Sequence, residues 1–279
     1  MTDHPGFGRR GMMMTSLMTG LTLAAARVEA QVIHTDADGL VAGEVRIPVA
    51  DGALPGYAAR PAGAGPFPTV LVIEEIFGVH AYIRDICRRL AHAGYLAVAP
   101  ELYARLADLS KMSDVRRIFQ DVILKAPDAT LLADLDSTAS WAASQDAGDP
   151  RRLAVIGFCR GGRDTWLYAA HNPALKCAVA FYGPVGGPTS AIQPRTAGDV
   201  ATELKCPLLG LYGGKDPSIA VTDVQAAAAA ATQAGKTVQI VVYPDAGHGF
   251  HADYRPSYNA DAAKDGWARA LAWFKRYGM

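Results

Sequence analysis

Gly157-Phe158-Cys159-Arg160-Gly161-Gly162 lies between an apolar run and a segment of helical pattern, and it is where this sequence could do covalent chemistry. A thiol on a sharp strand-to-helix turn is projected as a nucleophile, and glycines two residues before and after Cys159 relieve contact with the neighbouring turn. The helix N-terminus beneath favours negative charge, which helps both a thiolate and an oxyanion. Serine is the usual residue of this motif, so cysteine is a departure from it. A cysteine nucleophile needs a base, and the base needs an orienting carboxylate. Asp216 follows the apolar run ending at Tyr212, and His248 lies in Gly247-His248-Gly249-Phe250, after the run ending near Tyr243. These types point to acyl transfer, with Cys159 as nucleophile, His248 as base and Asp216 orienting it. Glu74 and Glu75 directly follow another apolar run, where carboxylates are costly unless paired or exposed in a cleft. The loop that they begin is expected to supply one oxyanion amide, that of Ile76, and the residue after the nucleophile, Arg160, the other.

The elements that must hold these residues alternate along the chain. A hairpin is expected over Val41–Pro48 and Leu54–Arg60, turning at Ala50, Asp51 and Gly52. Buried strands are predicted at Thr69–Ile73, Tyr95–Ala99, Leu153–Gly157, Cys177–Tyr182, Leu208–Tyr212 and Val238–Tyr243. Helices are predicted at about 81–93, 131–144, 161–170, 220–234 and 260–276, the first ended by Gly94. Regular alternation implies an α/β protein with a mostly parallel central sheet and helices on both faces. Sites in such sheets lie beyond the carboxyl ends of the strands. The order nucleophile, acid, histidine is that of the α/β-hydrolase fold. A glycine- and proline-rich stretch from Gly183 to about Val200 follows a strand end, where a substrate-facing loop would lie.

Composition bounds the remaining possibilities. Lys plus Arg equals Asp plus Glu, at 27 each, so no overall field draws in nucleic acid or an anionic membrane surface. With 279 residues, half of them hydrophobic, the chain can bury a full core. Residues 1–30 read as an export signal and residues 31–279 as a single domain. Arg9 and Arg10 precede an apolar stretch from about Met12 to Ala26, followed by Val28-Glu29-Ala30, a small-x-small cleavage pattern. The stretch, at roughly fifteen residues, is shorter than the ~20 of a spanning helix, which favours cleavage over a stable membrane anchor. The adjacent arginines resemble a twin-arginine signal, so export to the periplasm is expected, although Gly11 and Met12 to Met14 depart from the usual pattern. Cys87, Cys177 and Cys206 are widely and irregularly spaced in apolar surroundings and are expected to be buried structural thiols rather than a disulfide framework. No CxxC pair or Cys/His cluster suggests a metal, and no cofactor is called for.

In five motifs the chain resembles the dienelactone hydrolase family. They are Glu74-Glu75-Ile76-Phe77-Gly78-Val79, Ala99-Pro100-Glu101-Leu102-Tyr103, the Cys159 elbow, Tyr212-Gly213-Gly214-Lys215-Asp216 and Gly247-His248-Gly249-Phe250. The resemblance implies a hydrolase that opens a lactone or ester of a small-molecule substrate. It implies that Glu75 contacts the resting nucleophile and keeps its thiol protonated, and that Phe77 lines the substrate site. It also implies that Arg105 holds a substrate carboxylate, which a guanidinium fork matches. A second such arginine is expected soon after the histidine, where this chain has Ala252, the nearest arginine being Arg255. Two alternatives stand beside this reading: a carboxylesterase or thioesterase of another substrate class, and a non-catalytic exported binding protein that keeps the cleft.

Overall fold

Every residue of Leu96–Pro100 and of Leu208–Gly213 is buried. Successive side chains of a strand point to opposite faces, so burial of all of them means that both faces are covered. The computed structural model describes residues 32–145 and 147–279; the segment read as an export signal lies outside the described residues. The described residues form one eight-stranded sheet of β1 (Leu40–Val49), β2 (Gly52–Pro61), β3 (Phe67–Ile73), β4 (Leu96–Pro100), β5 (Gly148–Phe158), β6 (Leu175–Phe181), β7 (Leu208–Gly213) and β8 (Val238–Tyr243). Its order is β1-β2-β4-β3-β5-β6-β7-β8. The β1–β2 and β2–β4 pairs are antiparallel and all others parallel. This is the α/β-hydrolase architecture that the alternation predicts.

Five helices cover the sheet: α1 (Ala81–His92), α2 (Asp128–Ser144), α3 (Arg160–His171), α4 (Val221–Gln233) and α5 (Ala260–Arg276). Their ends follow local chemistry. The His80 side chain caps α1 by accepting the Tyr82 amide, and Gly94, at φ 97°, lets the chain turn away after it. Asn259 caps α5 by accepting the Ala262 amide. The core centres on β3 to β7, where Val70, Val98, Ile156, Val179 and Leu209 are at most 1% exposed.

Two stretches carry more order than their sequences declare. Between β4 and α2 run short helical turns from Leu109 to Lys125, started by the Asp108 and Asp114 side chains and anchored by buried Ile118, Val122 and Ile123. Within the Gly183–Val200 stretch, Thr196 and Asp199 form a reciprocal capping box that starts a single helical turn, Ala197–Val200. Cys87, Cys177 and Cys206 are free and buried, and burial pushes the Cys206 thiol up to about 12. Among the described residues no helix is long and apolar enough to cross a membrane, and no cluster of three metal-ligating side chains occurs.

Candidate active site

β5 ends at Phe158 and α3 begins at Arg160, which leaves Cys159 alone in the turn with φ 55° and ψ −117°. For a residue with a side chain this backbone costs on the order of 1–3 kcal/mol, and it persists only where the surroundings dictate it. Here they do. A Cβ on Gly157 would overlap the Gly161 carbonyl, and one on Gly161 would overlap the carbonyls of Ile73 and Glu74. The Cys159 amide donates to Phe181 O at 3.0 Å, fixing the turn to β6.

The sulfur held there meets the two residues expected from the sequence. His248 Nε2 lies 3.1 Å from Cys159 Sγ, and His248 Nδ1 lies 2.7 Å from Asp216 Oδ2. Asp216 is fixed in turn, since its Oδ1 accepts the Ser218 amide at 2.8 Å and the Ser218 hydroxyl at 2.6 Å. All three side chains are buried, and each follows a strand's carboxyl end. Burial disfavours charge on His248, but the Cys159 sulfur and the Asp216 carboxylate outweigh it and raise the imidazole to about 10. Burial likewise works against the Asp216 charge, yet the hydrogen bond from His248 leaves that carboxyl below its ordinary value. Ile76 lies in the loop after β3 and Arg160 at the first position of α3; neither amide is used in the backbone hydrogen bonds of the turns and loops.

Glu74 and Glu75 are both fully buried but lead to different surroundings. Glu75 Oε1 accepts from Arg255 Nη2 at 2.8 Å, while Oε2 accepts from the Tyr254 hydroxyl and lies 3.4 Å from His80 Nε2. Burial works against its charge, but Arg255 and His80 outweigh it and hold the carboxyl at about 2. The structure therefore does not bring Glu75 to the thiol: the carboxylate is taken by Arg255, and the sulfur is turned to His248. Glu74 has no such cation; its Oε1 accepts the Leu102 amide at 2.9 Å, and burial pushes its carboxyl well above the usual range.

Arg105 is also placed otherwise than the resemblance implies. Its Nε and Nη2 donate to Asp51 at 2.7 and 2.6 Å, and its Nη1 donates to Asp134 at 2.6 Å. Asp134 also accepts from Nη2 at 3.0 Å, so those two carboxylates take four of the five donors of the fork. Arg255 is 1% exposed, lies 5.2 Å over the Phe77 ring and 5.3 Å over that of Tyr254, and is close enough to Cys159 for the sulfur to act on its charge. Its Nη1 is buried with no hydrogen-bond partner. Half-buried Phe77 meets His80 edge-on at 6.1 Å.

The sequence reading does not assign Tyr254, His80, Ser218 or Tyr182. Tyr182, at φ 37°, sets its ring 5.3 Å from that of His248. Of these only Ser218 had a usable local signal, since a serine two residues after an aspartate in a loop readily donates back to that carboxylate.

A cysteine on a strand-to-helix turn, an aspartate and a histidine in that chain order, each past the end of a strand of one mostly parallel sheet, fit an α/β-hydrolase. The sequence model of the dienelactone hydrolase family matches residues 54–278. A relative in Methylorubrum extorquens, provisionally named a carboxymethylenebutenolidase, is 54% identical over 97% of this chain and 94% of its own. One of the same provisional name in Escherichia coli K12 is 51% identical over 95% of this chain and 98% of its own. The crystal structure of a provisionally named dienelactone hydrolase from Klebsiella pneumoniae, 54% identical, superposes with a TM-score of 0.83 over 85% of this chain and 99% of that one. The chain belongs to the dienelactone hydrolase family and is a carboxylic ester hydrolase of that kind.

Proposed function

We propose that the enzyme opens an enol-lactone or ester through a thioester acyl-enzyme on Cys159. The observation that carries this reading is the unbroken chain Cys159 Sγ, His248, Asp216, at 3.1 and 2.7 Å. With its imidazole raised to about 10, His248 Nε2 already holds the proton it shares with Cys159 as the sulfur attacks the carbonyl carbon. The amides of Ile76 and Arg160 receive the oxyanion. Collapse breaks the carbonyl carbon–oxygen bond, and His248 returns the proton to the departing enolate or alkoxide. In a lactone that leaving oxygen stays tethered to the acyl group. Water, deprotonated by His248, then cleaves the thioester, releases the acid and restores the Cys159–His248 pair. Asp216 keeps the imidazole oriented and supports its positive charge throughout.

Arg255 gives the site a preference for a carboxylate-bearing substrate, because its buried Nη1 is without a partner. A substrate carboxylate taken there would compete with Glu75 for the guanidinium. Glu75 would then gate the site through Arg255 rather than by contact with the thiol. Pairing of Arg105 with Asp51 and Asp134 removes the arginine that the resemblance assigns to a substrate carboxylate, which keeps simple esters as a second substrate class. The arginine pair and apolar run at the N-terminus support export of the enzyme to the periplasm.

The deciding experiment is hydrolysis of cis-dienelactone beside p-nitrophenyl acetate by the wild type and Cys159→Ala. Lactone turnover lost in the variant, with an acyl adduct on Cys159 by mass spectrometry, is the expected result. Ester turnover without lactone turnover would move the substrate to other esters. Turnover of both that survives Cys159→Ala would end the mechanism.

A further inference from the structure

Glu74 is fully buried, yet among the described residues no cation pairs with it. Its Oε1 accepts the Leu102 amide at 2.9 Å, and its Oε2 is buried with no donor to serve it. An isolated ion in such a place is strongly disfavoured, and a carboxyl there keeps its proton instead. The side chain within hydrogen-bonding reach of the Glu74 carboxyl is that of Glu101, whose Oε2 also lies against the same loop, 3.0 Å from where a Cβ on Gly78 would stand. Arg84 on α1 and Asp108 are the other charged groups acting on Glu101. Glu74 also faces Tyr103, around which Asp164, Arg160 and Arg163 are grouped.

We infer that Glu74 is a neutral carboxylic acid donating its proton to Glu101, and that this clasp is a positioning device for both oxyanion amides; the inference rests on the hydrolase reading above. Glu74 opens the loop that carries Ile76, so the clasp fixes that loop to the segment Glu101–Tyr103. From that segment the Tyr103 hydroxyl reaches Asp164 Oδ2 at 3.4 Å, on α3. Asp164 Oδ1 in turn lies 3.4 Å from Arg160 Nε, at the helix end that supplies the second amide. The two donors of one oxyanion site are thus braced through a single segment, with the shared proton at its start. Burial, and the charge of Glu101, raise Glu74 well above the usual carboxyl range, which keeps that proton in place at neutral pH. Its loss in alkali sets two negative charges against each other across the brace.

The test compares wild type, Glu74→Gln and Glu74→Ala, all as the full chain. The first readout is the rate of the p-nitrophenolate burst with p-nitrophenyl acetate from pH 6 to pH 10. The second is the infrared band of a protonated carboxyl at neutral pH. Losing one oxyanion donor slows an acyl transfer by about 10²–10³-fold, so misaligned amides in Glu74→Ala are expected to slow the burst by ~10-fold or more. Glutamine keeps one acceptor for Leu102 and one donor for Glu101, so Glu74→Gln is expected to restore the rate, remove the alkaline fall in the burst and abolish the infrared band. A Glu74→Gln burst as slow as that of Glu74→Ala, or a band that persists in Glu74→Gln, would overturn the inference. So would a Glu74→Ala burst at the wild-type rate. If Glu74→Ala fails to fold by circular dichroism, Glu74→Gln decides alone by its band and its pH profile. A wild-type chain with no Cys159-dependent burst would instead fail the hydrolase reading and take the positioning claim with it, while the band would still decide where the proton is.

Discussion

Replacing Arg255 with methionine leaves the Glu75 carboxylate buried with only Tyr254 and His80 as partners. Glu75 and Arg255 are both fully buried as side chains and pair at 2.8 Å, so the change strands an ion rather than trimming a surface contact. Removing one partner of such a pair costs about 3–5 kcal/mol. At about 2–4 °C per kcal/mol for a domain of this size, thermal unfolding at neutral pH should fall by on the order of 6–20 °C. The pH dependence carries a sign that a simple packing loss lacks. In the wild type the folded Glu75 carboxyl is held at about 2, against about 4.3 for an unfolded glutamate. Its contribution is therefore present above about pH 4.3 and lost as pH falls towards about 2. In Arg255→Met burial alone dominates and raises the carboxyl, so that protein regains stability by protonation, and the gap between the two narrows as pH falls from 7 to 4. The double variant Glu75→Gln/Arg255→Met removes the stranded charge and should recover more than half of the loss. Unfolding followed by circular dichroism at pH 7 and pH 4 measures all of this. A single-variant loss below about 1 kcal/mol, or additive losses in the double variant, would refute the reasoning, because coupled partners depart from additivity by about 0.5–3 kcal/mol.

Arg105→Met should lower the unfolding temperature, since buried Asp134 loses its cation. It should leave kcat/KM for a carboxylate-bearing lactone unchanged; a selective rise in KM for that substrate, with simple esters unaffected, would return Arg105 to the substrate site. Gly157→Ala forces a Cβ into the Gly161 carbonyl and should abolish the burst with p-nitrophenyl acetate, whereas Gly247→Ala, where a Cβ meets nothing within 4 Å, should fold and retain a burst. A burst in Gly157→Ala at the wild-type rate would show that the elbow does not depend on that contact.

The elements were legible because their signals are local. Runs such as Thr69–Ile73 are apolar enough to be buried on both faces, and Gly94 marks the end of α1. Residues 109–125 were not legible: their turns are one or two residues past an aspartate cap, too short for a helical period, and they are held by tertiary burial of Ile118 and Ile123. The chain positions of Cys159, Asp216 and His248 were readable from motif and order, which survive without coordinates. The partners of Glu75 and Arg105 were not, because a long side chain chooses among charges far apart in sequence. Glu75 finds Arg255 180 residues away and Arg105 finds Asp51 54 residues away. Order along the chain ranks candidates for a site, but rotamers and burial decide which charge meets which.

The glycine contacts at the elbow also bear on folding. The conformation of Cys159 is imposed by carbonyls of Ile73 and Glu74 at the end of β3, by the Gly161 carbonyl, and by Phe181 at the end of β6. Ile73, Glu74 and Phe181 are distant from Cys159 in sequence and meet it only once β3, β5 and β6 stand side by side. Closing such non-local contacts comes late and slowly in the search for the native state. A chain with only some of its strands paired can hold Cys159 in an ordinary backbone, with neither His248 nor the two amides beside it. Its thiol would then react no faster than that of a short peptide. On the proposed mechanism, rapid acylation of Cys159 is accordingly a clock for native assembly of the sheet. It can be read during refolding or in a variant library, without an antibody or a spectroscopic label.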